Sequence, residues 1–127
     1  MRDEVKGIEP RPLTEREAAW IREILQADEE WKDSDISRTH VIAEGPCDEG
    51  QSILLHAPEP ENSRPGPMMG YIGRLWISND DGSVIEVRLT QSGRRLHELF
   101  VLFVDPKHPD RKLPEHWTEV SHEAHRL

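Results

Sequence analysis

The chain reads as an α+β domain: one amphipathic helix near the N-terminus packed on an antiparallel sheet of about five strands, with an extended tail after it. Three observations carry this expectation. Residues 69–104 alternate apolar and polar side chains between two tight-turn sequences. A capping-box signature at Thr14 opens a stretch with helical apolar spacing. A further pair of alternating segments, Ser37–Glu44 and Gln51–Ala57, flanks a turn-rich loop. The 127 residues suit a single domain with room for a real core.

Met1–Pro12 carries two prolines and mixed charge and reads as an extended or mobile lead-in. In Leu13-Thr14-Glu15-Arg16-Glu17, the Thr14 hydroxyl can cap the Glu17 amide while the Glu17 carboxylate reaches back to the Thr14 amide. Leu13 stands where a hydrophobic staple residue sits, and Glu15 and Glu17 fall in the first turn, where the helix dipole favours anions. Ala18, Ile21, Ile24 and Leu25 then recur on one face, bordered by Trp20, and predict a helix to about Ala27 covering one side of the sheet.

The acidic stretch Asp28–Asp35 holds a single tryptophan, Trp31. It reads either as a docking loop for a basic partner or as a solvated helix end whose Trp31 folds back on the core. Ser37–Glu44 predicts a strand and Gln51–Ala57 its hairpin partner, joined by Gly45-Pro46-Cys47-Asp48-Glu49-Gly50. Pro58 ends the pair because proline donates nothing to a ladder. The four prolines of Pro58–Pro67 predict an exposed loop.

The segment Met69–Val104 predicts a three-strand meander, Gly70–Ser78, Ser83–Thr90 and Arg95–Val104. If Asp80 and Asp81 form a type I turn and Gly82 adopts positive φ, Ile77 faces Ile85, Leu75 faces Val87 and Gly73 faces Leu89. One face is then Leu75, Ile77, Ile85, Val87 and Leu89. The other is Arg74, Trp76, Ser78, Val84, Glu86 and Arg88. A one-residue slip would mix the two sets, so patterning selects this register. The apolar run Leu99–Val104 suits a strand covered on both faces. The second turn leaves its register open: a three-residue loop sets His97 beside Val87, and a Ser92-Gly93 loop sets it beside Arg88.

After Val104, the prolines of Asp105–Pro114 exclude a helix or a central strand. Trp117 and Val120 are expected to anchor residues 105–127 as an extended tail, with Ser121–Leu127 a short helix or frayed end.

The succession Leu13-Thr14-x-Arg16-Glu17, then Gly45-Pro46-Cys47 before a strand, then Gly82 and the Leu96–Val104 strand, resembles a family of small uncharacterised bacterial proteins. The resemblance implies no activity and transfers no catalytic residue. Relatives of that kind are richer in cysteine in the loop after the first strand, where this chain holds only Cys47.

Composition narrows the functional classes. The formal charge of −9 argues against nucleic acid and against an anionic membrane surface as partners, and suits steering toward a basic protein. One cysteine excludes an intrachain disulfide and a multi-cysteine zinc site. The start Met-Arg-Asp-Glu-Val-Lys lacks an apolar signal region and no apolar run reaches membrane-spanning length, so the expected location is cytoplasmic.

Metal chemistry finds little support: His122 and His125 would share a helical face, but with Glu123 they depart from the zinc-protease spacing, and His108 with Asp105 and Asp110 is a loose set. No phosphate loop, nucleophile elbow or dinucleotide fingerprint is present, so no cofactor is expected.

Arg74, Glu86 and Arg88 around Trp76 would be near neighbours on a sheet and are residue types common at binding hot spots. With Trp31 they form the candidate binding surface. The expected function is therefore a small acidic non-enzymatic protein-binding domain, immunity-, inhibitor- or adaptor-like, with a protein partner or a homodimer mate. The alternative is a small hydrolase or ligand-binding enzyme with a pocket near Cys47, His40 and His56.

Overall fold

The computed structural model describes residues 5–32, 34–47, 50–58, 69–104 and 118–126. The proline-rich stretch 59–67 and the tail 105–117, with His108 and Trp117, lie outside the described residues. The elements in chain order are β1 (Lys6–Pro12), α1 (Glu15–Gln26), β2 (His40–Cys47), β3 (Gly50–His56), β4 (Gly70–Asn79), β5 (Val84–Ser92), β6 (Arg95–Phe103) and β7 (Glu119–Arg126). The strands form one antiparallel sheet in the order β1-β2-β3-β6-β5-β4-β7.

The β4–β5 hairpin has the register that the alternation selects. Ile77 pairs with Ile85, Leu75 with Val87 and Gly73 with Leu89. Gly82 takes φ of 87°. The Asn79 amide donates to the Ser83 carbonyl at 2.8 Å and the Gly82 amide to the Asn79 carbonyl at 3.0 Å. Leu75, Ile77, Ile85, Val87 and Leu89 are all completely buried. Burying each such side chain contributes on the order of 1.5–3 kcal/mol.

Helix α1 lies on that apolar face, packed on β4, β5 and β7. Its capping box is formed: the Glu17 amide donates to Thr14 Oγ1 at 3.1 Å, and the Thr14 amide donates to Glu17 Oε1 at 2.9 Å. Ile21, Ile24 and Leu25 are buried, and so is Trp20, which stands inside the apolar stripe rather than at its border. Leu13 and Trp31 pack against the same core.

Among the described residues seven strands replace the expected five, because both outer strands fall in segments read otherwise. The lead-in contains β1, which pairs with β2 through Gly7–Ala43 and Arg11–Val41 despite Pro10 and Pro12. An edge strand tolerates proline, since one side of its backbone needs no partner. Arg11 fixes β1 to the helix start: its guanidinium donates to both Glu17 carboxylate oxygens at 2.9 and 3.0 Å and to Glu44 at 3.0 Å.

Residues 119–126 form β7 against β4, not a helix or a frayed end. The Trp20 indole donates to Glu119, and His122 Nδ1 lies 2.6 Å from Glu23. Val120, expected to anchor the tail, is 60% exposed; the β4 ladder and the polar contacts to the helix hold this strand.

Two boundaries also move. Strand β2 starts at His40 and continues through Pro46 and Cys47, which the sequence reading put in the turn. Pairing with β1 ends at Glu44, so Pro46 interrupts no ladder on that side. The second hairpin turns on Gly93 and Arg94, with φ of 58° and 66°, and Ser92 faces Arg95. Neither anticipated register holds. Glu98 faces Thr90 and Leu96 faces Gln91, leaving His97 as the extra residue of a bulge.

Candidate functional site

The sheet face turned away from α1 carries Arg74, Trp76, Glu86 and Arg88 together, as the β4–β5 register requires. Arg74 stands directly opposite Arg88, a pairing that like charges disfavour. Glu86, only 5% exposed, resolves it by bonding both. Arg88 Nε donates to Glu86 Oε1 at 3.0 Å and Nη2 to Oε2 at 3.2 Å, while Arg74 Nη1 reaches Oε1 at 3.4 Å. The bond to Glu86 holds the Arg88 guanidinium above its ordinary pKa against the opposing effect of desolvation.

Each arginine also lies over an aromatic ring. The Arg74 guanidinium is 5.6 Å from the Trp76 ring centre, and that of Arg88 is 5.9 Å from Tyr71. These distances fall within cation–π range. Arg74 Nε is buried with no hydrogen-bond partner among the described residues. The result is a continuous train, Tyr71–Arg88–Glu86–Arg74–Trp76, with half of Tyr71 open to solvent. Across β4 from Trp76 stands Glu123 of β7, itself exposed. Two arginines and two glutamates therefore make the patch neutral in a chain of net charge −9.

Sequence reasoning missed Tyr71. Strict alternation assigns it to the apolar face with Leu75 and Ile77. A bulge between Tyr71 and Gly73 turns it outward opposite Thr90 and sends Ile72, 3% exposed, into the core. No residue in the stretch announces that bulge. Trp31, grouped with the patch from sequence, packs against the hydrophobic core instead.

The residues of the alternative pocket are only partly brought together. His40 faces His56 across β2 and β3, whereas Cys47 sits at the other end of β2, opposite Gly50. Seven residues of extended strand place about 23 Å between Cys47 and His40. The helical face that His122 and His125 were expected to share does not form, because Glu119–Arg126 is a strand, and His122 is engaged by Glu23 and, at 3.7 Å, by Glu119. Among the described residues no group of three or more His, Cys, Asp or Glu gathers to hold a metal ion. No helix among them is long and apolar enough to cross a membrane.

No protein-family model, no curated protein and no solved structure matches the chain.

Proposed function

We propose that the chain is a small acidic, non-enzymatic protein-binding domain, immunity-, inhibitor- or adaptor-like, and that the Trp76 face of the sheet seats a basic protein partner. The observation that carries this reading is the Tyr71–Arg88–Glu86–Arg74–Trp76 train. Tyrosine, tryptophan and arginine are the residue types that dominate binding energy at interfaces. Here the ion pairs and ring contacts already hold their rotamers, which lowers the entropy lost on association. The patch is neutral, so it does not repel a cationic partner that the −9 body attracts at long range.

The test is affinity capture by the parent chain, Trp76→Ala and Arg88→Glu, each checked for native circular dichroism. A basic protein held stoichiometrically by the parent and lost by both folded variants is the expected result. Equal capture by all three chains refutes the assignment of the face. Recovery of the chain alone, with a doubled mass by light scattering that Trp76→Ala abolishes, replaces the basic partner by a second copy.

A further inference from the structure

The two outer strands are tied to helix α1 by different cations. Neither strand buries a described side chain: every residue of β1 is at least partly exposed, and Val120, Ser121, Glu123 and Ala124 of β7 are exposed. Each strand therefore depends on its ladder and on polar contacts. On β1 the tie is Arg11, which bonds Glu17 at the helix start and Glu44 on β2. A guanidinium keeps its charge throughout the pH range of folded proteins. On β7 the tie is His122, an imidazole, and histidine is the side chain whose charge changes between about pH 5 and 8.

His122 stands between two carboxylates from different elements. Its Nδ1 lies 2.6 Å from Glu23 of α1, and its Nε2 lies 3.7 Å from Glu119 of β7. The same Glu119 oxygen accepts from the Trp20 indole. Arg16, also on α1, lies over the Trp20 ring, 6.0 Å from its centre. From β4 the residue opposite His122 is Ile77, which carries no charge. An imidazolium has two N–H donors, one for each carboxylate. A neutral imidazole has one, so whichever nitrogen keeps the proton, the other turns a lone pair toward an anion. Both contacts are favourable only in the charged form.

We infer that His122 is a pH-sensitive clasp: protonated, it fastens β7 to α1, and on losing its proton it lets that strand loosen from β4. The attraction exists only while the ring is charged, so the clasp is closed near pH 5.5 and opens as the pH rises toward about 8. Strand β1, tied by Arg11, does not respond. Glu123 of β7 stands across β4 from Trp76, so the clasp also sets how firmly one border of that face is held. The inference rests on the contacts with α1 and does not depend on what the Trp76 face binds.

The experiment follows amide hydrogen exchange of the full isotope-labelled chain from about pH 5.5 to about pH 8, corrected for the intrinsic pH dependence of exchange. Protection of the β7 amides bonded to β4 should fall about two- to fivefold across that range while protection in β1 stays level. The factor is modest because the side chains of His122, Glu23 and Glu119 remain 28%, 40% and 24% exposed. His122→Gln, which keeps a donor but never carries a charge, and Glu23→Gln should each flatten the β7 profile. Either variant decides the matter if the other fails to fold. The inference is overturned if β7 protection holds level or rises with pH, if β1 falls equally, or if the β7 fall persists in either folded variant.

Discussion

Replacing Gly50 by alanine tests the pairing of β3 with β6 in the middle of the sheet. An ideal Cβ on Gly50 would lie 1.9 Å from the Val101 carbonyl oxygen and 2.9 Å from its carbonyl carbon. Ordinary contact begins at 3.4 Å, so the β6 backbone would have to retreat by about 1.5 Å. Hydrogen bonds of about 2.9 Å do not survive such a displacement. The local loss is one or two ladder bonds at about 1 kcal/mol each, plus the packing of Val101 and Leu99, which are 3% and 0% exposed. We expect Gly50→Ala to cost about 3 kcal/mol in urea unfolding, within the upper range for overpacked sites. Gly7→Ala is the control: its nearest non-neighbour atom would be 4.0 Å away, and the expected change is within about 0.5 kcal/mol. A Gly50→Ala variant as stable as the parent would refute the close approach of β3 and β6.

Two further outcomes follow from the charged groups. Glu86→Ala leaves Arg74 and Arg88 facing each other without the carboxylate between them; because both arginines are about a third exposed, the expected cost in urea unfolding is about 1 kcal/mol, and Arg88→Ala in that background should restore part of it in a double-mutant cycle. For Glu17, burial alone would raise the pKa, but the Arg11 bond and the Thr14 amide outweigh it and hold the carboxyl below its ordinary value. A lowered folded pKa contributes stability that is fully present above about pH 4.3 and is lost as pH falls through the folded value. The stability gap between the parent and Glu17→Gln should therefore be constant near neutrality and narrow below about pH 4 in urea titrations; a gap that persists undiminished into strong acid would count against the Arg11–Glu17 clamp.

What the residues determine by themselves is local and periodic. Thr14 and Glu17 specify a helix start because both capping bonds are made within four residues. Asp80, Asp81 and Gly82 specify a turn, and the alternation on either side leaves one register that keeps Leu75, Ile77, Ile85, Val87 and Leu89 on a single face. From that register the grouping of Arg74, Trp76, Glu86 and Arg88 follows directly, so most of the candidate face was legible without coordinates.

What the tertiary structure decided has no local cause. Strands β1 and β7 lack an apolar alternation; they form because the edges of β2 and β4 offer backbone partners, and because Arg11 finds Glu17 and Glu44 while Glu119 and His122 find Trp20 and Glu23 on a helix about a hundred residues away in sequence. The bulges that turn Tyr71 outward and make His97 the extra residue of β6 belong to the pairing of whole strands and are written in neither partner alone. The end of the β3–β6 ladder at Leu54–Glu98 is likewise a property of four strands together, since β3 stays bound to β2 and β6 to β5 beyond it. No reading of one segment at a time contains that information.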